Sequence, residues 1–257
     1  MNNNFFAVMV IYNGKIGDSI TYNCLKACPQ VSLTVCDNST EDYGNSQVVA
    51  ENVNYISMGG NTGLAKAYNK AVDALKGNDG YVCLFDDDTS VESNYFELLD
   101  AEIEKSNADI LLPVVRDETG IMSPCAIDGV LTRRINSLNE INGNNISGIN
   151  SGMAVKLSVF DSYRYDENYF LDFIDHAFLR DMKKDGRKIA VADSIQLRQS
   201  FSANDRNVQR AGKRFEIFKK DYLKFCNDAG SKNALVKGRL YLLKRWVNIN
   251  IIYRITG

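Results

Sequence analysis

Histidine is almost missing from this chain: His176 is the only one in 257 residues. A zinc or iron site built on several imidazoles is thereby excluded. Any bound metal must be held by oxygen, which points to magnesium, manganese or calcium. The six cysteines, Cys24, Cys28, Cys36, Cys83, Cys125 and Cys226, are scattered and mostly lie in apolar runs. Cys24 and Cys28 have a helical spacing rather than that of a CxxC knuckle, so buried free thiols in a reducing compartment are expected. Proline is scarce too, with three residues and no low-complexity tract, so no interdomain linker is expected. No apolar window is long enough to span a bilayer. The start, "MNNNFFAVMVIYNG", lacks a basic n-region and a small-residue cleavage site, so it does not read as a signal peptide, and a cytoplasmic location is expected. GxGxxG and GxSxG are absent, which argues against a dinucleotide fingerprint and a hydrolase elbow.

What the chain does have is length and apolar content, 45% hydrophobic, enough for one sizeable core. Its net charge of −2 hides an asymmetry: residues 1–205 hold 17 Lys/Arg against 29 Asp/Glu, and residues 206–257 hold 13 against 3. Up to residue 115 strand and helix signals alternate. "FFAVMVIY" (5–12), "VSLTVC" (31–36), "VNYISM" (53–58), "YVCLF" (81–85) and "ADILLPVV" (108–115) read as strands. Helices are expected from Asp18 or Ser19 to Ala27, across "GLAKAYNKAVDALKG" and across "NYFELLDAEIEKS". Such a βαβ series predicts a mostly parallel sheet with helices on both faces. Further on, an Asn/Gly-rich loop region precedes a strand over "GMAVKLSVF", a helix through "NYFLDFIDHAFLRDMKKDG", a strand "KIAVAD" and two helices broken near Gly230.

Ligands of open α/β sheets bind beyond the carboxyl ends of the strands. Here those ends carry Tyr12-Asn13, Asp37-Asn38-Ser39, Gly59-Gly60-Asn61 and the triple carboxylate Asp86-Asp87-Asp88 of "YVCLFDDDTS". Three adjoining carboxylates repel one another, and a divalent cation is the obvious compensating charge, although an exposed acidic turn needs none. A second acidic set is Asp172, Asp175 and His176 in "LDFIDHAF", which share one face if the segment is helical. A carboxylate among those apolar neighbours can have a raised pKa and act as a general base; helix-cap aspartates on a solvated first turn are the plainer alternative.

In order and spacing, "VIYN", "CDNS", "NTGLAKAYN", "DDD", "NSGMAVK" and "FLDFIDHAFLRDMKKDG" resemble a family 2 glycosyltransferase of the GT-A fold, of the bacterial rhamnosyltransferase-like kind. The resemblance covers roughly residues 5–200. It implies a GT-A domain at 1–204, with a nucleotide-sugar half (1–115) and an acceptor half (116–204), then a basic helical extension (205–257). By that resemblance Asp86 and Asp88 form a DxD motif holding Mn²⁺ or Mg²⁺, with Asp88 the more direct ligand and Asp86 near the ribose or a metal-bound water. Tyr12, Asn13, Asp37, Asn38, Asn61, Gly63, Asp87 and Arg198 are then donor-side residues. Asp175 is the expected base and Asp172 the second choice, while Ser151, Gly152 and His176 fall on the acceptor side. "QLRQSFS" (196–202) matches a mobile segment near the donor. Two departures stand out: Ala177 replaces an acidic residue, and the histidine that often adds a metal ligand is missing, leaving the metal to the DxD carboxylate, phosphates and water.

The implied reaction is an inverting transfer from a nucleoside-diphosphate sugar to a saccharide acceptor, lipid-linked in surface-polysaccharide synthesis. No nucleic acid is expected as a partner. Two alternatives are a haloacid-dehalogenase-type phosphatase using Asp86 and Asp88, and a non-catalytic sugar-nucleotide-binding domain. The tail from 231 to 257 interleaves Lys232, Lys237, Arg239, Lys244, Arg245 and Arg254 with apolar residues; Leu235, Leu242, Trp246 and Ile249 suit one helix face. It reads equally as a helix on an anionic membrane, hence a peripheral protein at the inner membrane face, and as a helix packed on the acidic domain, with homodimerisation a lesser option.

Overall fold

The computed structural model describes residues 1–50, 53–199 and 208–252. The chain runs β1 (Phe5–Ile11), α1 (Ile20–Leu25), β2 (Ser32–Asp37), α2 (Asn45–Val48), β3 (Val53–Ser57), α3 (Leu64–Ala74), β4 (Tyr81–Asp86), β5 (Thr89–Ser90), α4 (Tyr95–Ser106) and β6 (Ile110–Asp117). It continues through β7 (Gly120–Ser123), β8 (Cys125–Asp128), β9 (Leu131–Arg133), β10 (Ile146–Ser147), β11 (Met153–Lys156), α5 (Ile174–Lys184), β12 (Ile189–Gln199), α6 (Val208–Asp228) and α7 (Lys232–Val247). The expected boundary at 204/205, Ser200 to Ser202 of the donor-side segment, and Tyr253 and Arg254 lie outside the described residues.

One mixed sheet dominates, in the order β3-β2-β1-β4-β11-β6-β12-β5 with β7 on β6. β1 pairs in parallel with β2 and β4, β2 with β3, and β6 with β12. The expected parallel α/β sheet is present, with one interruption: β11 enters antiparallel between β4 and β6. Its Met153-Ala154-Val155 run is fully buried, as an interior strand requires.

Alternation along the central strands feeds two cores. Val8, Val82 and Leu84 pack with Tyr68 of α3, Phe178 of α5 and Phe225 of α6. Ala7, Met9, Cys83 and Phe85 face Tyr22 and Leu25 of α1 and Phe96 and Leu99 of α4. Each cysteine is a free thiol and all but Cys24 are buried, as expected.

Two expectations change, and one alternative left open is narrowed. The strand over "GMAVKLSVF" stops at Lys156 and a 3-10 turn follows over Leu157–Asp161. The helix carrying the second acidic set starts only at Ile174, because Phe173 takes φ 61 at its N-cap. Asp172 is therefore not on the helix with Asp175 and His176, and the shared helical face is lost. Finally, the C-terminal helices pack onto the domain. Phe215, Phe218, Tyr222, Phe225, Ala234, Leu242 and Ile249 are all buried in the larger core, while Trp246 is exposed. α7 approaches α6 so closely at Gly238 that a Cβ there would stand 2.4 Å from Cys226 Sγ.

Candidate active site

The strand ends open into a cleft of about 1070 Å³ floored by Asp86, Asp87 and Asp88 and walled by Tyr12, Asn38, Asn61 and Gly63. Its opposite wall is the C-terminal extension: Arg214, Phe215 and Phe218 of α6, then Tyr241, Lys244 and Arg245 of α7. A smaller cavity of about 450 Å³, near Glu102, Leu138 and Ile189, lies away from this rim.

The acidic turn is held from beneath. Ser19, the N-cap of α1, donates its hydroxyl to the Asp87 carbonyl at 2.7 Å. Thr21 Oγ1 lies 2.9 Å from the Thr89 carbonyl and accepts from Thr89 N–H at 2.8 Å. With backbone polarity satisfied by buried hydroxyls, the side chains of the turn are left for the cleft. Because β11 runs antiparallel to β4, Gly152 N–H donates to the Leu84 carbonyl at 2.7 Å, and buried Ser151 donates its hydroxyl to Asp86 Oδ2. The last residue of β12 completes the group: Gln199 Nε2 donates to Asp86 Oδ2 at 3.0 Å and to Asp88 Oδ1 at 2.9 Å.

Crowding leaves an electrostatic mark. Burial, then the charges of Asp88 and Asp86, pushes the Asp87 carboxyl up to about 6. Asp88 is also raised, by burial first and by Asp86, with the Gln199 hydrogen bond opposing. Like charges held in a partly dry rim are poised for a cation. Among the described residues no cluster of three His, Cys, Asp or Glu has metal-holding geometry, so Asp86 and Asp88 form a two-carboxylate pair. That pair, bridged by Gln199 Nε2, is of a kind that fits a hard divalent cation.

Of the expected donor-side residues, Asn38 and Asn61 are tied together. Asn38 Nδ2 donates to Asn61 Oδ1 at 3.2 Å, and Asn38 Oδ1 accepts from Thr62 N–H at 2.9 Å. Gly63, at φ 90, leaves no room for a Cβ, which would come within 2.9 Å of the Phe170 carbonyl oxygen. Asp37 is buried and engaged by Ser39 N–H at 2.9 Å and by Asn45 Nδ2 and Tyr55 OH, both at 2.8 Å. Burial pushes this carboxyl up, but those hydrogen bonds outweigh it and hold it below its usual range. Asn13 takes a left-handed turn at φ 49, accepting from Thr40 N–H at 2.8 Å. Arg198 is exposed and absent from the cleft lining; strand alternation turns it away from the side on which Gln199 faces the aspartates.

The second acidic set divides. Asp172 lines the cleft and forms a two-pronged ion pair with Arg214 of α6, Nη2 to Oδ1 at 2.6 Å. Asp175 is not among the residues that line the cleft; burial raises its pKa, His176 opposes the rise, and Asp86 and Asp172 add to it. His176 Nδ1 is 2.7 Å from Ser147 Oγ. The segment 170–172 is pinned by α6: buried Asp221 accepts from the N–H groups of Phe170, Leu171 and Asp172 at 3.1, 2.8 and 2.9 Å. Sequence reasoning missed Ser19, Thr21, Gln199, Arg214 and Asp221. Only Gln199, the neighbour of Arg198 within "QLRQSFS" (196–202), had a local signal.

A mixed α/β sheet with an acidic strand end, and an antiparallel strand inserted beside it, is the GT-A arrangement of nucleotide-sugar transferases. Within that class the chain belongs to glycosyl transferase family 2, whose profile matches residues 8–153. The dTDP-rhamnosyl transferase RfbF of Shigella flexneri is 26% identical over 182 residues, a match covering 68% of this chain and 62% of that relative. Among solved structures, S. aureus TarS 1-349 in complex with UDP is similar at TM-score 0.56 and 16% identity, covering 95% of this chain and 71% of that one. GalNAc-T7 with UDP, GalNAc and Mn²⁺ is similar at TM-score 0.60 and 14% identity, covering 99% and 57%. At such identities these two likenesses concern the fold. Membership of the family removes the phosphatase alternative, and the acidic motif lies at the fourth strand in the chain rather than the first.

Proposed function

We propose that the chain is an inverting glycosyltransferase, moving a sugar from a nucleoside-diphosphate donor to a saccharide hydroxyl. The observation that carries this reading is the placement of Asp86 and Asp88 at the end of β4, on the floor of a cleft walled by Tyr12, Asn38 and Asn61. Those walls take the nucleoside, and Mn²⁺ or Mg²⁺ held by the two carboxylates supplies positive charge to the departing diphosphate. Asp175, ionised, accepts the proton of the attacking acceptor hydroxyl, and a half-buried carboxylate with a raised pKa suits a base. Phe170, Leu171 and Asp172 line the cleft while Asp175 does not, so on this reading the acceptor hydroxyl reaches Asp175 past that segment. The similarity to a dTDP-rhamnosyl transferase makes dTDP-rhamnose the first donor to try.

The acceptor side of the proposal rests on α7. Its inner face, Ala234, Gly238 and Leu242, is buried, while Val236, Leu240 and Leu243 are 58%, 63% and 58% exposed on the outer face. Lys232 and Arg239 flank this stripe on one side and Lys237 and Lys244 on the other, as helical spacing places them. An apolar stripe between two cationic edges suits an anionic bilayer surface and hence a lipid-linked acceptor.

The test is a panel of nucleotide sugars with Mn²⁺, read as nucleoside diphosphate released in the presence of saccharide and lipid-linked saccharide acceptors. Transfer that disappears in EDTA and in Asp88→Asn, with the variant still folded, is the expected result. Full activity in either condition would refute the metal role; donor binding without turnover would leave a binding module.

A further inference from the structure

Around the acidic turn the hydrogen bonding does not close. Gln199 spends its Nε2 on Asp86 and Asp88, at 3.0 and 2.9 Å, while its Oε1 is buried with no partner. Thr89, directly opposite on β5, also buries an unpartnered hydroxyl oxygen, and so does the carboxamide of Asn150 next to Ser151. Buried polar atoms are nearly always paired, and an orphaned acceptor carries a desolvation cost. Here several such atoms gather beside carboxylates that repel one another, which marks a place built for something more than the side chains supply.

Turning the amide of Gln199 over about its last side-chain bond exchanges Oε1 and Nε2, two atoms of nearly equal size. The oxygen then faces Asp86 and Asp88, and three hard donors from three elements converge. We infer that Gln199 is a third protein ligand to the divalent cation, with its amide inverted from the orientation described above. The inference rests on the metal-dependent reading proposed for the site and replaces the expectation that one carboxylate, phosphates and water hold the ion alone. The backbone commits Gln199 to this place: the bulge of β12 between Ala192 and Gln196 resets the strand's alternation, and the pairing of Gln199 with Thr89 fixes it beside the turn. Ser151, donating to Asp86 Oδ2, holds the neighbouring carboxylate in orientation. A neutral amide oxygen also predicts a shallower rise in affinity from Mn²⁺ to Co²⁺ and Ni²⁺ than a site with an imidazole ligand would show.

Titration of Mn²⁺ alone into the full chain, followed by electron paramagnetic resonance of the free ion, tests this without turnover. Gln199→Leu, which removes the donor and keeps most of the bulk, is expected to weaken Mn²⁺ binding about 10–100-fold while unfolding in EDTA at the parent temperature. Gln199→His is expected to recover Mn²⁺ binding and to shift preference toward Co²⁺ and Ni²⁺, a change that a merely structural role would not produce. If the parent chain binds Mn²⁺ and Gln199→Leu binds it equally well, the inference is overturned and the proposed function stands. An unchanged metal preference in Gln199→His overturns it as well, even where the leucine variant fails to fold. A parent chain that transfers sugar yet binds no Mn²⁺ removes the metal from the proposed function and this ligand with it.

Discussion

The acidic end of β4 and the helical pair α6–α7 face each other across one cleft, yet different forces hold them there. The turn at Asp86–Asp88 is fixed by polar contacts to its backbone, from Ser19 and Thr21, and its carboxylates carry uncompensated charge. The helices are fixed mainly by apolar burial, and Arg214, Lys244 and Arg245 line the cleft. Arg245 lies over the Phe218 ring at 3.8 Å, a cation-on-aromatic contact that keeps its charge at the cleft wall. The extension is therefore part of the site rather than an appendage. Aromatic residues of α6, namely Phe218, Tyr222 and Phe225, surround Phe173 at ring separations of 5.4, 4.8 and 5.1 Å. A bulky residue at φ 61 is strained, and such strain persists only where packing over-determines it. α6 supplies that packing and, through Asp221, the hydrogen bonds of the segment before it.

The largest expected effect separates the two carboxylates of the second acidic set. Asp175→Asn keeps size but removes the base, and is expected to lower kcat about 10²–10⁴-fold with donor affinity unchanged. Asp172→Asn breaks the pair with Arg214 and should act more through acceptor KM. Steady-state kinetics of both variants decide the assignment; a severe Asp172→Asn beside a mild Asp175→Asn reverses it. The pH profile gives the sign. The base must be ionised, and its folded pKa is raised, so activity should fall with decreasing pH at a higher pH than an ordinary carboxylate would give.

Next in size is the coupling between α6 and the 170–172 segment. Asp221 is fully buried, and its acceptors are filled by three backbone N–H groups. Asp221→Ala orphans all three donors and is expected to cost about 3 kcal/mol of stability, measured by urea unfolding, with kcat falling as Phe173 loses its setting. Were stability to fall while kcat held, the extension would be a brace for the core without influence on the site.

The contrast between these regions also explains what the sequence could tell. Local patterns carried the first half: buried strands such as "FFAVMVI" read as continuous apolar runs, and strand ends announced the rim because ligands of α/β sheets bind there. The pieces that escaped were long-range. Asp221 lies 49 residues from Asp172 along the chain, and Gln199 lies 111 from Asp88; nothing near either residue signals the partner. The helix start at Ile174 was misplaced because Phe173 adopts a left-handed turn that its own propensity disfavours and α6 imposes. On α7 the apolar residues lie on two faces, so periodicity grouped exposed Trp246 with buried Leu242 and Ile249.

The smallest expected effect tests whether that second apolar face meets lipid. Leu240 and Leu243 are more than half exposed, and neither helps to line the cleft, so changing them leaves the donor side intact. In vesicle co-sedimentation, Leu240→Ala is expected to weaken binding to anionic vesicles by roughly 1 kcal/mol, since an interfacial helix buries only part of each side chain. Lys237→Gln should lose about 1 kcal/mol at low salt, and less as ionic strength rises, because a surface charge is screened within a Debye length of about 10 Å at 0.1 M. The two losses differ in kind: the leucine effect persists in salt and the lysine effect fades. A stripe that instead mates with a second copy of the chain would give the leucine loss without any preference for anionic over neutral vesicles, and the variant would sediment as a smaller particle.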